Sequence, residues 1–227
     1  MKPAPVLVLF DIDGTLLRRS GPHHRQALER AVERVAGVRV STDGIPVAGM
    51  LDRDILLAML ARGGVPKTRA RRLLAEVCRA AQNIYVRNCP DLRRKVCPGV
   101  RPLLRRLAGR GVPCGLVTGN LSRIAWTKMR RAGLREYFAV GAFSEDGPTR
   151  AALIRLAASR ARRAGLVAPG ARVVYIGDHP NDVLAARQAG AEIIAVGTGV
   201  VSGEELAAAQ PDVYLPDLRA FRHDLLR

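Results

Sequence analysis

Five stretches of the chain, Val6 to Asp11, Val112 to Thr118, Val173 to Gly177, Ile193 to Gly197 and Val213 to Leu215, run apolar without the alternation of a half-exposed strand. Burial on both faces produces that pattern, so these segments predict parallel strands covered by helices on either side. A sixth strand is expected around Phe138 to Phe143, after a helix over Ser122 to Ala132. Helical stretches end in MRRAG, ARRAG and ARQAG, where glycine can take the left-handed conformation that closes a last turn. From Pro98 onward strand and helix alternate. This predicts an α/β fold with a doubly wound, Rossmann-like parallel sheet.

One interval breaks the alternation. Between about Leu17 and Val96 the periodicity is that of long amphipathic helices, Pro22 to Ala36, Asp52 to Arg62 and Pro66 to about Asn88, with hardly any strand. An insertion of that size after the first strand predicts a helical subdomain of its own, and CPGV, Cys97 to Val100, marks the return to the sheet. The expected division is a core of residues 1–16 and 97–227 and a cap of residues 17–96.

Composition removes some function classes. No apolar run approaches the roughly 20 residues that span a bilayer. Met1-Lys2-Pro3-Ala4-Pro5 leads directly into the first strand and leaves no room for a signal peptide, so a cytoplasmic location is expected. Cys78, Cys89, Cys97 and Cys114 are eleven, eight and seventeen residues apart, which fits neither a zinc site nor a redox pair; they read as small buried hydrophobes. The formal charge of +17 invites a polyanion, yet the basic runs are scattered and 4% of the residues are aromatic. Single-strand stacking platforms are therefore scarce, and no helix-turn-helix or zinc-finger signature occurs. The runs read as solvated helix faces that could steer a phosphorylated substrate, with nucleic acid and membrane disfavoured as partners.

The chemistry stands at strand ends. In VLVLFDIDGTL, Asp11 and Asp13 lie two apart on an extended segment and leave on the same side, so their charges need compensation. A hard cation such as Mg²⁺ supplies it, with Asp178 and Asp182 of GDHPND bringing further carboxylates directly or through water. Gly14 and Thr15 turn the chain and offer groups to an anion; Thr118, Gly119 and Asn120 of VTGN offer a hydroxyl and the N–H groups that open a helix. This set suits phosphoryl transfer: Asp11 attacks phosphorus, and Asp13 protonates the leaving oxygen and then deprotonates water. The remaining phosphate charge wants a cation. Arg150 in GPTRAALI, at the first turn of a helix, is the first choice and Arg155 the competitor.

Together, and in this order, DIDGTL, VTGN, Arg150 and GDHPND resemble the haloacid dehalogenase superfamily, in its phosphoglycolate-phosphatase-like branch with a C1-type helical cap. The resemblance implies Asp11 as nucleophile, Asp13 as acid and base with its main-chain carbonyl on Mg²⁺, Asp178 as a metal ligand and Asp182 in support. Relatives usually carry lysine in the third motif, whereas this chain has none after Lys128. The dehalogenases lack the second aspartate, so Asp13 favours phosphate ester hydrolysis. Asp52 and Arg53 of GMLDRDIL either touch the leaving group or, for Asp52, cap a helix. His23, His24 and His179 read first as polar helix starts, and Trp126 and Met129 as core. The expected function is a Mg²⁺-dependent phosphatase of a small phosphorylated metabolite, such as phosphoglycolate, a sugar phosphate or a nucleotide. A phosphotransferase such as a sugar-phosphate mutase and a catalytically idle basic binding protein are the alternatives. Oligomeric state is not readable from the chain.

Overall fold

In the computed structural model residues 3–18 and 21–226 are described; Met1 and Lys2, part of the amino-end reading, lie outside them. Six parallel strands, β1 (Ala4–Phe10), β2 (Cys114–Val117), β3 (Phe138–Ala142), β4 (Val167–Gly177), β5 (Glu192–Val196) and β6 (Val213–Leu215), form one sheet in the order β3-β2-β1-β4-β5-β6. β1 is central because its last four residues, Leu7 to Phe10, are wholly apolar and fully buried. Val8 pairs with Cys114 on one side and Val174 on the other. The chain order reverses across β1, so the ends of β1, β2 and β4 open on the crevice where ligands bind in such sheets.

The eight helices described are α1 (His23–Ala36), α2 (Asp52–Arg62), α3 (Lys67–Asn88), α4 (Val100–Gly109), α5 (Ser122–Ala132), α6 (Arg150–Arg163), α7 (Pro180–Ala189) and α8 (Gly203–Ala208). Alternate β1 residues feed two cores. Val8 and Phe10 pack with Leu103, Leu104 and Leu107 of α4 and Ile124 and Met129 of α5, whereas Leu7 and Leu9 join Leu153, Ile154 and Ala157 of α6 and Val183 and Ala186 of α7. The buried faces of α1, α2 and α3 continue the first of these cores, so the helical cap is fused to the sheet layer by apolar contact.

The periodicity located every strand and the helices of the insertion. β4 begins earlier than Val173 because Val167 pairs with Ala4 before Pro169 and Gly170 bulge outward, and that Pro-Gly pair reads locally as a turn. Gly133 and Gly190 close α5 and α7 with φ of 64° and 70°. All four cysteines are free and buried, as their spacing indicates. No helix described is long and apolar enough to cross a membrane.

Gly99, at the return from the cap, carries the tightest backbone demand outside the site: its φ is +82°, and a Cβ there would overlap the main chain of Leu218 and Arg219. Gly99→Ala is expected to cost about 2–3 kcal/mol, read as a thermal midpoint lower by roughly 5–10 °C. Gly109→Ala, in open space at the end of α4, should leave the midpoint unchanged or raise it slightly.

Candidate active site

β1 ends on Phe10 followed by Asp11, and β4 ends on Gly177 followed by Asp178, so the parallel register of β1 and β4 delivers two carboxylates to one edge. α7 then brings a third. His179 accepts the Asn181 N–H at the helix N-cap, and Asp182 Oδ2 accepts the main-chain N–H groups of Asp178 and His179, each at 3.1 Å. His179 is thus a helix cap. Oxygens of Asp11, Asp178 and Asp182 lie within 4.8 Å of one another, and all three residues are buried. Thr15 donates to Asp178 Oδ1 at 2.8 Å.

Arg150, in the first turn of α6 behind the Thr149 cap, reaches this cluster from the side. Its Nη1 is 3.3 Å from Asp11 Oδ1, its Nε 3.1 Å from Asp182 Oδ1, and its Nη2 donates to the Gly49 carbonyl of the cap at 3.4 Å. Arg155 instead donates to the Gln188 carbonyl on the surface. Of the two arginines, Arg150 is the one the fold places beside Asp11.

Asp13 turns a different way. Its Oδ2 accepts from Lys128 Nζ at 2.5 Å and from Asn120 Nδ2 at 3.0 Å. Lys128 also meets His24 Nδ1 at 3.3 Å, and His24 Nε2 lies 3.0 Å from Asp52 Oδ2. Burial favours the neutral acid at Asp13, but the charge of Lys128, with His24 and the two hydrogen bonds, holds it below the usual carboxylate range. The Asp13 side chain is consequently outside the three-carboxylate cluster.

Several predicted roles change in detail. The Gly14 N–H donates to Leu17 O at 2.7 Å and the Thr15 hydroxyl to Asp178, so neither group is open to an anion as expected. Gly14 serves geometry: its φ is +90°, and a Cβ would overlap Asp178. The Asn120 N–H donates to Thr118 Oγ1, and Leu121 and Ser122, where α5 begins, donate to Asp52 and Glu145. At the start of that helix side chains take the N–H groups of Asn120, Leu121 and Ser122, and Thr118, Gly119 and Asn120 line the cavity. Asp52 caps α5, not its own helix, whose N-cap is Leu51. The Arg53 main chain donates to Ser144 Oγ.

Sequence reasoning missed Lys128, Tyr175 and Thr198. Tyr175 donates to Asp182 Oδ1 at 3.1 Å and Thr198 to the Gly14 carbonyl at 2.5 Å. The legible signal was Lys128 itself, a lysine three residues after Ala125 and four after Ile124 on the apolar face of α5. The cavity above these residues measures about 890 Å³ and is walled by core and cap together, with Leu28, Val47 and Ile55 on the cap side.

The electrostatics test what fits. Burial pushes the Asp11 carboxyl up to about 7, against Arg150 and with help from Asp182 and Asp13; burial, Asp182 and Asp11 push Asp178 up to about 9. Three packed carboxylates faced by one arginine are short of positive charge. A hard divalent cation with oxygen ligands fits this donor set.

The family model of haloacid dehalogenase-like hydrolases matches residues 6–190, and the chain belongs to that family. Its three-carboxylate cluster matches the Mg²⁺-binding arrangement of these hydrolases. It is similar to the phosphoglycolate phosphatase of Yersinia pseudotuberculosis, 27% identical over 92% of this chain and 88% of the relative, and to that of Pseudomonas fluorescens, 28% identical over 95% and 78%. The solved β-phosphoglucomutase of Clostridium difficile shares the fold with a TM-score of 0.69 at 17% identity, covering 99% of this chain and 95% of that one.

Protons that folded Asp11 and Asp178 keep to about 7 and 9 leave the unfolded chain near 3.8. The folded state therefore binds more protons in that window, and the metal-free protein loses stability as pH rises through it. Asp13 acts in the opposite sense, its contribution being lost only as pH falls below its ordinary value. Without Mg²⁺ the thermal midpoint should fall between about pH 5 and pH 9, and saturating Mg²⁺ at about pH 8 should recover several degrees, the effect of roughly 1–2 kcal/mol in a chain this size. Asp178→Asn should raise the metal-free midpoint at that pH and abolish the response to Mg²⁺. A wild-type midpoint indifferent to Mg²⁺ would contradict the assignment.

Proposed function

We propose that the protein is a Mg²⁺-dependent phosphatase of a small phosphorylated metabolite, working through a phosphorylated Asp11. The carrying observation is the division of labour between two aspartates two residues apart: Asp11 faces Arg150 and the carboxylate cluster, and Asp13 faces Lys128 and Asn120. Its two curated relatives named above are phosphoglycolate phosphatases, which supports a small anionic substrate of that class. The reading keeps residues 1–16 and 97–227 as the catalytic core and 17–96 as the cap.

In this reading an Asp11 oxygen attacks phosphorus in line with the leaving oxygen, forming the Asp11 O–P bond as the ester P–O bond breaks. Arg150, already against Asp11, balances the charge that phosphate brings and orients the nucleophile. Thr118 and Gly119 hold phosphate oxygens. Asp13, ionised at rest beside Lys128, takes up a proton before passing one to the departing oxygen, and as the carboxylate it then takes one from the water that opens the phosphorylated Asp11. Asp11, Asp178 and Asp182, with the Asp13 carbonyl, would hold Mg²⁺, which when bound would neutralise charge between carboxylate and phosphate.

Purified protein with Mg²⁺ should release inorganic phosphate from at least one member of a panel holding phosphoglycolate, sugar phosphates and nucleotides. Asp11→Asn should lower that rate by at least about a thousandfold with the fold intact by circular dichroism. Wild-type turnover by the variant would transfer the nucleophile elsewhere. Phosphate passed to a sugar acceptor, with none released, would replace hydrolysis by a mutase reaction on the same residues.

A further inference from the structure

The ammonium of Lys128 is fully buried, yet it belongs to none of the motifs that align the site. It sits on α5, 2.5 Å from Asp13 Oδ2, and is enclosed from the other side by His24 of α1 and by the ring of Tyr85 of α3, whose centroid is 6.0 Å away. His24 links two residues here: its Nδ1 faces the ammonium at 3.3 Å and its Nε2 faces Asp52 Oδ2 at 3.0 Å. Asp52 in turn accepts the Leu121 N–H at 2.9 Å. Two cap helices therefore complete the environment of a lysine that grips the Asp13 carboxylate.

Among the described residues both donors to this carboxylate, Lys128 and Asn120, converge on Oδ2. That fixes the carboxylate plane and leaves Oδ1 as the oxygen for proton transfer. Stability alone accounts poorly for the arrangement, because taking an ammonium and a carboxylate out of water costs about as much as their attraction returns, and an apolar residue packs as well on a buried helix face. The Asp13 side chain is still 39% exposed, so it remains within reach of the cavity.

We propose that Lys128 is a positioning residue for the proton-transfer step at Asp13, held in place from the cap side by His24 and Tyr85. The inference rests on the phosphatase reading above. It says that Lys128 matters where Asp13 moves a proton and not where phosphate binds or Asp11 attacks.

p-Nitrophenyl phosphate separates these steps. Nitrophenolate leaves with its electron pair and needs no proton, so formation of the Asp11 O–P bond does not require Asp13. Breaking that bond does, because Asp13 must take the proton of the attacking water. For Lys128→Met with Mg²⁺ present, kcat should fall at least about 30-fold while kcat/KM stays within about threefold, and a burst of nitrophenolate near one per active site should appear. In an Asp13→Asn background the same substitution should cost no more than about twofold. Equal losses in kcat and kcat/KM without a burst, full retention of kcat, or additive losses in the double variant would each overturn the proposal. If Lys128→Met lacks a cooperative thermal transition, Lys128→Gln, which keeps one donor for Asp13, carries the same measurements. The underlying reading fails separately: a folded wild type that releases no phosphate from any ester, or an active Asp11→Asn, removes it whatever Lys128 does.

Discussion

Three carboxylates forced together under a protein surface are the constraint from which the rest of this structure follows. Asp11, Asp178 and Asp182 lose hydration and repel one another, and nothing in hydrophobic packing offsets that. The sheet makes the encounter unavoidable, because parallel pairing of β1 with β4 fixes Asp11 and Asp178 at the same edge. Each carboxylate therefore meets compensating groups: Arg150 donates to Asp11 and pairs by charge with Asp182, Thr15 donates to Asp178, and two main-chain N–H groups and Tyr175 donate to Asp182. The remaining deficit of positive charge is what a divalent cation relieves. A site unstable when empty and relieved by its ligand is a common trade of stability for chemistry.

The cap is tied to this edge by polar contacts as well as by apolar packing. Gly49 O meets Arg150, the Asp52 N–H donates to Gly119 O, and the Arg53 N–H donates to Ser144 Oγ. Leu51, between them, is buried against Val117, Ala142 and Ala151 of the core. The segment 49–53 therefore docks on the ends of β2 and β3 and the start of α6. A substrate would be enclosed by residues from both layers, and its far end would meet Leu28, Val47 and Ile55 of the cap.

Most of the fold was legible because burial on both faces of a parallel strand leaves an uninterrupted apolar run, and each run stands in the sheet. The site was legible where chemistry is encoded locally: Asp11 and Asp178 directly follow strands, and Arg150 opens a helix. It was illegible where chemistry depends on contacts between distant segments. Lys128 is 115 residues from Asp13 in the chain, and no local pattern announces that pairing. The N–H groups of Gly14 and Asn120 looked open in sequence; in space Leu17 O and Thr118 Oγ1 take them. One of the two readings of Asp52 made it the cap of the helix it begins, and only the tertiary fold shows that it caps another one.

Arg150 is best understood through the same charge problem. A lysine presents a compact point charge on a flexible stem, whereas a guanidinium spreads five donors over a rigid plane. Arg150 uses that breadth: one edge approaches Asp182, one nitrogen serves Asp11 and the Tyr175 hydroxyl, and another reaches out to the Gly49 carbonyl. Two carboxylates of the cluster and the docked loop thus share one cation. A lysine at this place could neutralise Asp11 or Asp182 but could not brace both and hold the cap loop as well. Arg150 therefore joins Asp11 to the cap through a single buried side chain, which makes the position of the loop at 49–53 part of the electrostatics that Asp11 experiences.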